Sequence, residues 1–194
     1  VIGLGAGTMA AYGRPGDQYR FYELDPLIIN VARKQFSFLS DSRAKVELVA
    51  GDGRLALERE PGRRFDLLAV DAFSGDSIPV HLLSREAFRL YFARLEPEGV
   101  LAVHVSNSFL DLAPVVGRLA QDLGKSARVA EAQEDAGDHR SHSVWVLVAG
   151  DPATLDHLQA AQAGLQAAPA WPPPAPRSLR VWTDDYSNLF QILK

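Results

Sequence analysis

The opening run Val1–Gly7, V-I-G-L-G-A-G, constrains this chain more than any other stretch. Two apolar residues lead into glycines at alternate positions, Gly3, Gly5 and Gly7. A strand that ends in such a loop presents bare backbone, which a ligand can approach closely and which tolerates positive φ. The next apolar run, Tyr19–Tyr22, ends in Glu23. In an open α/β sheet, a carboxylate at the tip of the neighbouring strand can accept hydrogen bonds from ribose hydroxyls. The pair reads as a nucleoside site.

Spacing narrows the ligand. Pyrophosphate-bearing dinucleotides are usually met by G-x-G-x-x-G. The G-x-G-x-G here suits a nucleoside without phosphates, S-adenosylmethionine or a relative.

Strand and helix patterns alternate along the rest of the chain. Strands are expected at Tyr19–Glu23, Val46–Val49, Phe65–Val70 and Gly99–Val105. Helices are expected after Asp25-Pro26, around Leu55–Arg59, after Ser84, and over Leu112–Leu123. Ile28, Val31, Ala32 and Phe36 mark the expected buried face of the first of these. Phe65–Val70 reads as a strand buried on both faces. Ala127–Ala132 and Ser143–Val148 leave no room for a crossover helix, so they should pair antiparallel. The fold expected is a doubly wound α/β sheet, mostly parallel and seven-stranded, with a closing antiparallel pair. Residues 1–166 form its nucleoside-binding domain, residues 167–178 a proline-rich linker, and residues 179–194 an aromatic tail that docks on the same domain.

Composition excludes several classes. At 194 residues with 47% apolar and 23% charged side chains, the chain is an ordinary globular domain. A net charge of −4 gives no footprint for nucleic acid and suits a cationic ligand better. Without cysteine there are no disulfides, thiolate chemistry or cysteine–zinc sites. No run of about 18 apolar residues is present, so no membrane contact by this chain is expected. The chain begins on what reads as a core strand, so an upstream β-hairpin domain or membrane helices are expected. The location expected is cytoplasmic, with membrane anchoring only through that upstream segment.

Acidic residues gather where the strands end. Asp52, between Gly51 and Gly53, could accept a hydrogen bond from an adenine amino group, cap a helix, or do both. Asp71 closes the apolar Phe65–Val70 run, where an unpaired carboxylate costs desolvation energy. Asp76 follows in the next loop, and two carboxylates at one mouth favour a cation between them. Asp185 and Tyr186, in the tail, join the candidate site as substrate contacts. His139 and His142 have a metal-like spacing but no adjacent acidic pair, and no metal is expected.

The segments V-I-G-L-G-A-G-T, F-Y-E-L-D-P, A-G-D-G-R and L-L-A-V-D-A-F-S-G-D-S-I-P resemble the spermidine synthase (polyamine aminopropyltransferase) family, over Val1 to about Asn107. The likeness is to its bacterial branch often fused to membrane segments, in which the T-D-D-Y-S-N-L-F tail also looks typical. The resemblance implies a methyltransferase-like fold binding decarboxylated S-adenosylmethionine. It places Glu23 at the ribose, Asp52 with Gly53 at the adenine, and Asp71 at the attacking amine. Ala6 stands where the family loop carries an aspartate, and no tyrosine-proline loop is recognisable. Three readings stay open: aminopropyl transfer to a small-molecule amine, methyl transfer from S-adenosylmethionine, and a non-catalytic nucleoside-binding module of a membrane protein. A homodimer is allowed for.

Overall fold

In a computed structural model the protein is described over residues 1–72, 79–133, 142–163 and 170–194. Asp76, His139 and the expected domain boundary at residue 166 lie outside these residues. The chain divides into two compact units, Val1–Gly62 with Val70–Phe73, and Arg63–Ala69 with Ser74–Lys194.

The first unit is built on strands β1 (Gln18–Glu23) and β2 (Lys45–Ala50), paired in parallel from Gln18↔Lys45 to Glu23↔Ala50. Helices α1 (Pro26–Gln35), α2 (Phe38–Asp41) and α3 (Gly53–Arg59) accompany them. Asp25 caps α1 by accepting from the Leu27 N–H, with Pro26 in the first turn. The buried face of α1 differs from the expected one. Ile28, Ile29 and Ala32 pack towards Phe21 and Leu4, whereas Val31 and Phe36 are exposed. The helix ends at Gln35, so Phe36 leaves in extended backbone and stacks on Phe38, with centroids 6.1 Å apart.

The expected first strand shrinks to a single bridging residue. Ile2 makes parallel bridges to both Tyr22 and Val70. Its carbonyl accepts from the Asp71 N–H at 2.8 Å, and the Gly3 N–H donates to the Tyr22 carbonyl at 2.9 Å. Beyond it Gly3, Gly5 and Gly7 take φ of 97°, 54° and 84°, which no extended strand can hold. A 3-10 turn, Thr8–Tyr12, follows. Among the described residues the strands form a two-stranded and a four-stranded sheet, with Ile2 as a bridging residue, in place of one seven-stranded sheet.

An ionic cluster supports β1. Arg20 donates to Glu47 at 2.7 Å, to Glu60, and through Nε to the Tyr22 hydroxyl at 3.1 Å. The Tyr22 hydroxyl in turn donates to Glu60 at 2.9 Å. Burial, and then the Glu60 bond, push the Tyr22 phenol up to about 12.

The second unit holds β3 (Phe65–Val70, its last residue assigned to the first unit), α4 (Arg85–Arg94), β4 (Leu95–His104), α5 (Ala113–Asp122), β5 (Ser126–Ala132), β6 (Ser143–Ala149) and α6 (Pro152–Ala163). The strand order is β3-β4-β6-β5. As expected, β5 and β6 pair antiparallel, from Ser126↔Ala149 to Ala132↔Ser143, and β6 also runs antiparallel to β4. Strand β3 is not buried throughout: Leu68, Ala69 and Val70 are, but Asp66 and Leu67 are exposed at its entry. Helix α5 is amphipathic as read, burying Val115, Val116 and Leu119. No helix among the described residues is long and apolar enough to cross a membrane.

The tail is well anchored within this unit. Trp182 and Ile192 are buried, and the Trp182 carbonyl accepts from the Arg85 N–H at 2.9 Å. In the proline-rich stretch, the Pro172 carbonyl accepts from Val129 N–H on β5 at 2.7 Å, and Pro174 faces Gly117 on α5.

Two outcomes follow from the first unit. A Cβ on Gly3 would lie 2.2 Å from the Asp71 carbonyl oxygen at a φ that side chains avoid. Gly3→Ala should therefore cost at least about 3 kcal/mol in denaturant unfolding; a loss under about 1 kcal/mol would contradict the tight junction. The raised Tyr22 phenol contributes stability that is full below pH 10 and is lost as pH rises through about 12. Glu60→Gln should move phenolate appearance, read by ultraviolet absorbance, to lower pH; an unchanged titration would remove Glu60 from the cluster.

Candidate nucleoside site

Strand tips gather the expected donor-site residues in the first unit. Strand β1 ends on Glu23, β2 runs into Gly51 and Asp52, and Asp71 follows Val70. Because Ile2 bridges both Tyr22 and Val70, Glu23 and Asp71 each follow a residue paired with Ile2. The glycine loop leaves from the same point.

Glu23 is half-buried and wired to that loop. One carboxylate oxygen accepts from the Leu4 N–H at 3.0 Å and the other from the Asp25 N–H at 2.9 Å. Its backbone carbonyl accepts from the Gly51 N–H at 2.8 Å, which fixes the end of β2 as well. A carboxylate has about four lone-pair sites, so two backbone donors leave capacity for hydroxyls. No local sequence signal announces the Leu4 contact, since its partner lies 19 residues away.

The glycines differ in what surrounds them. Gly3 is packed against the Asp71 backbone, and a Cβ on Gly7 would meet Leu39 at 2.9 Å. Gly5 is exposed, with nothing within 4 Å of where a Cβ would project, so its backbone can be approached closely. Gly53 is buried, and a Cβ there would meet Ile2 at 2.8 Å and Tyr22 at 3.2 Å; the residue lets α3 lie on that junction. Asp52 caps α3, its Oδ1 accepting from the Leu55 N–H at 2.9 Å. Asp71 is half-buried, with its backbone N–H on Ile2.

The tail residues belong to the second unit. Ser84, which caps α4, donates to Asp184 Oδ1 at 2.6 Å, and the Asp184 N–H donates to Glu86 at 3.0 Å. That clamp holds the turn in which Thr183 and Tyr186 bridge. Asp185 is exposed on it, and Arg180 lies 4.1 Å from the Tyr186 ring centroid. His142 pairs with Glu131 at 2.9 Å, holding the Glu131 carboxyl below the usual carboxylate range. No cluster of three or more potential metal ligands occurs among the described residues.

No family model matches the chain. In sequence it is 32% identical over 114 residues to a polyamine aminopropyltransferase of Vibrio vulnificus, a match covering 56% of this chain and 36% of that protein. It is 27% identical over 164 residues to the eEF1A lysine and N-terminal methyltransferase of Danio rerio, covering 74% of this chain and 24% of that protein. The chain thus spans well under half the length of the curated relatives it matches. In structure it resembles the spermidine synthase of Thermotoga maritima, with a TM-score of 0.57 at 18% identity, over 77% of this chain and 52% of that one. Human methyltransferase-like protein 13 in complex with SAH gives a TM-score of 0.55 at 21% identity, over 95% of this chain and 84% of that one. These likenesses establish a Rossmann-type methyltransferase fold with a mixed sheet, and in sequence the chain resembles both polyamine aminopropyltransferases and an eEF1A methyltransferase.

Proposed function

We propose that the chain binds an S-adenosyl sulfonium donor, decarboxylated S-adenosylmethionine, and passes its aminopropyl group to a small-molecule amine. The observation that carries the reading is Glu23, a carboxylate bonded to the glycine loop with acceptor capacity left for a ribose. In this reading the exposed backbone at Gly5 faces the nucleoside, Asp52 and Gly53 meet the adenine, and Asp71 meets the amine. Asp76, Asp185 and Tyr186 are assigned to the acceptor.

The chemistry is an in-line displacement. The amine nitrogen forms a bond to the carbon next to sulfur, the carbon–sulfur bond breaks with its electron pair going to sulfur, and methylthioadenosine leaves. The sulfonium is already a good leaving group, so the protein supplies alignment and a free lone pair on nitrogen. Amines are protonated at neutral pH, and Asp71 takes the proton. Methyl transfer from S-adenosylmethionine is the second reading. It is favoured by Ala6 in the loop and by a methyltransferase match that spans more of this chain than the aminopropyltransferase match does.

Product analysis separates the two. With decarboxylated donor and a panel of diamines and polyamines, methylthioadenosine should accumulate; S-adenosylhomocysteine formed only from the ordinary donor would establish the methyltransferase reading instead. Methylthioadenosine should bind the wild-type chain, and Glu23→Ala should weaken it by about 1–3 kcal/mol; unchanged affinity would remove Glu23 from the site. Asp71→Asn should leave donor binding intact while turnover falls by roughly 10²–10⁴. A large loss of thermal stability with turnover per folded molecule spared would make Asp71 structural.

A further inference from the structure

The second unit contains a cavity of about 490 Å³ that the donor reading does not use. It opens where the chain leaves β4 for α5, and its size falls within the ordinary range for small-molecule sites. Val105, Leu110 and Val144 give it an apolar surface. Asp111 and Lys194, of opposite side-chain charge, also line it, as does His142, which is paired with Glu131.

Both charged residues are held by the fold. Leu110 and Leu193 form an antiparallel bridge, the Asp111 N–H donates to the Ile192 carbonyl at 2.7 Å, and the Lys194 N–H donates to the Phe109 carbonyl at 2.9 Å. Asp111 Oδ2 meets Arg177 at 3.1 Å, and Lys194 Nζ donates to the Asn107 carbonyl at 2.5 Å. Neither bond exhausts its group. The ammonium retains two further N–H donors, and the carboxylate retains its second oxygen. Fixed opposite charges beside an apolar surface are complementary to a molecule carrying both charges on a short apolar body. Neither a polyamine, cationic throughout, nor a dicarboxylate satisfies both walls.

We infer that this cavity binds a small zwitterion, an amino acid or short peptide with free amino and carboxylate ends, the ammonium against Asp111 and the carboxylate against Lys194. None of its lining residues is among those assigned to the donor.

Calorimetry on the full chain tests it with L-alanyl-L-leucine, the N-acetylated dipeptide and the dipeptide carboxamide. The free dipeptide should bind saturably at one site, and each capped form at least about tenfold more weakly. Lys194→Gln should abolish the penalty for amidation, and Asp111→Asn the penalty for acetylation. If Asp111→Asn fails to fold for want of its Arg177 pair, the Lys194→Gln comparison decides alone. No saturable binding of the free dipeptide at millimolar concentration would overturn the inference, as would binding that Lys194→Gln leaves unchanged in both affinity and preference. Methylthioadenosine binding to Lys194→Gln should equal wild type, which keeps failure of this inference distinct from failure of the donor reading.

Discussion

Ile2 and Gly3 are the point on which the first unit turns. Through backbone alone they reach Tyr22 on one side and Asp71 on the other, at 2.9 and 2.8 Å. Further contacts lock what the backbone joins: Gly53, lacking a Cβ, lets α3 lie on Ile2, and the Arg20, Tyr22, Glu47 and Glu60 cluster fixes β1. A charged cluster of this kind loses much of its Coulomb energy to desolvation, so its value lies in holding one register of β1 rather than in raw stability. The consequence is local: Glu23 and Asp71 cannot shift along their strands without breaking the junction.

Glu23 holds the glycine loop in place, and the proposed function gives the same carboxylate a ligand to read. Its bonds satisfy the Leu4 N–H of the glycine loop and the Asp25 N–H at the start of α1, and they hold both oxygens in place. A ligand hydroxyl arriving there meets an acceptor already oriented, so little side-chain entropy remains to be lost on binding. The tail behaves differently. It is fastened by Ser84, Glu86 and the bridge at Leu110, all in the second unit, and it walls a cavity there.

Much of this was legible in the sequence. Alternation of apolar runs with capped helices gives the α/β class, and the short gap before Ser143 gives the antiparallel pair. Asp52 reads as a cap because its neighbours are a glycine turn and a helical run, and the cap is present. The misses have physical causes. Three glycines at positive φ cut the first strand to one residue, which a pattern of apolar letters cannot reveal. Helix α1 stops a residue before Phe36, so a periodicity read through that residue puts the wrong side chains inside. The contacts of Glu23 with Leu4, and of Arg20 with Glu60, join residues 19 and 40 positions apart and have no local signature.

The central claim is that the glycine loop and Glu23 form a ribose-reading nucleoside site. Its most direct test compares the wild-type chain's affinity for methylthioadenosine with its affinities for the 2′-deoxy and 3′-deoxy analogues. If a carboxylate accepts from the ribose, removing a hydroxyl should weaken binding by roughly 10- to 100-fold, the worth of a charge-assisted hydrogen bond. Equal affinities for all three nucleosides, or saturable binding by none of them, would contradict the account.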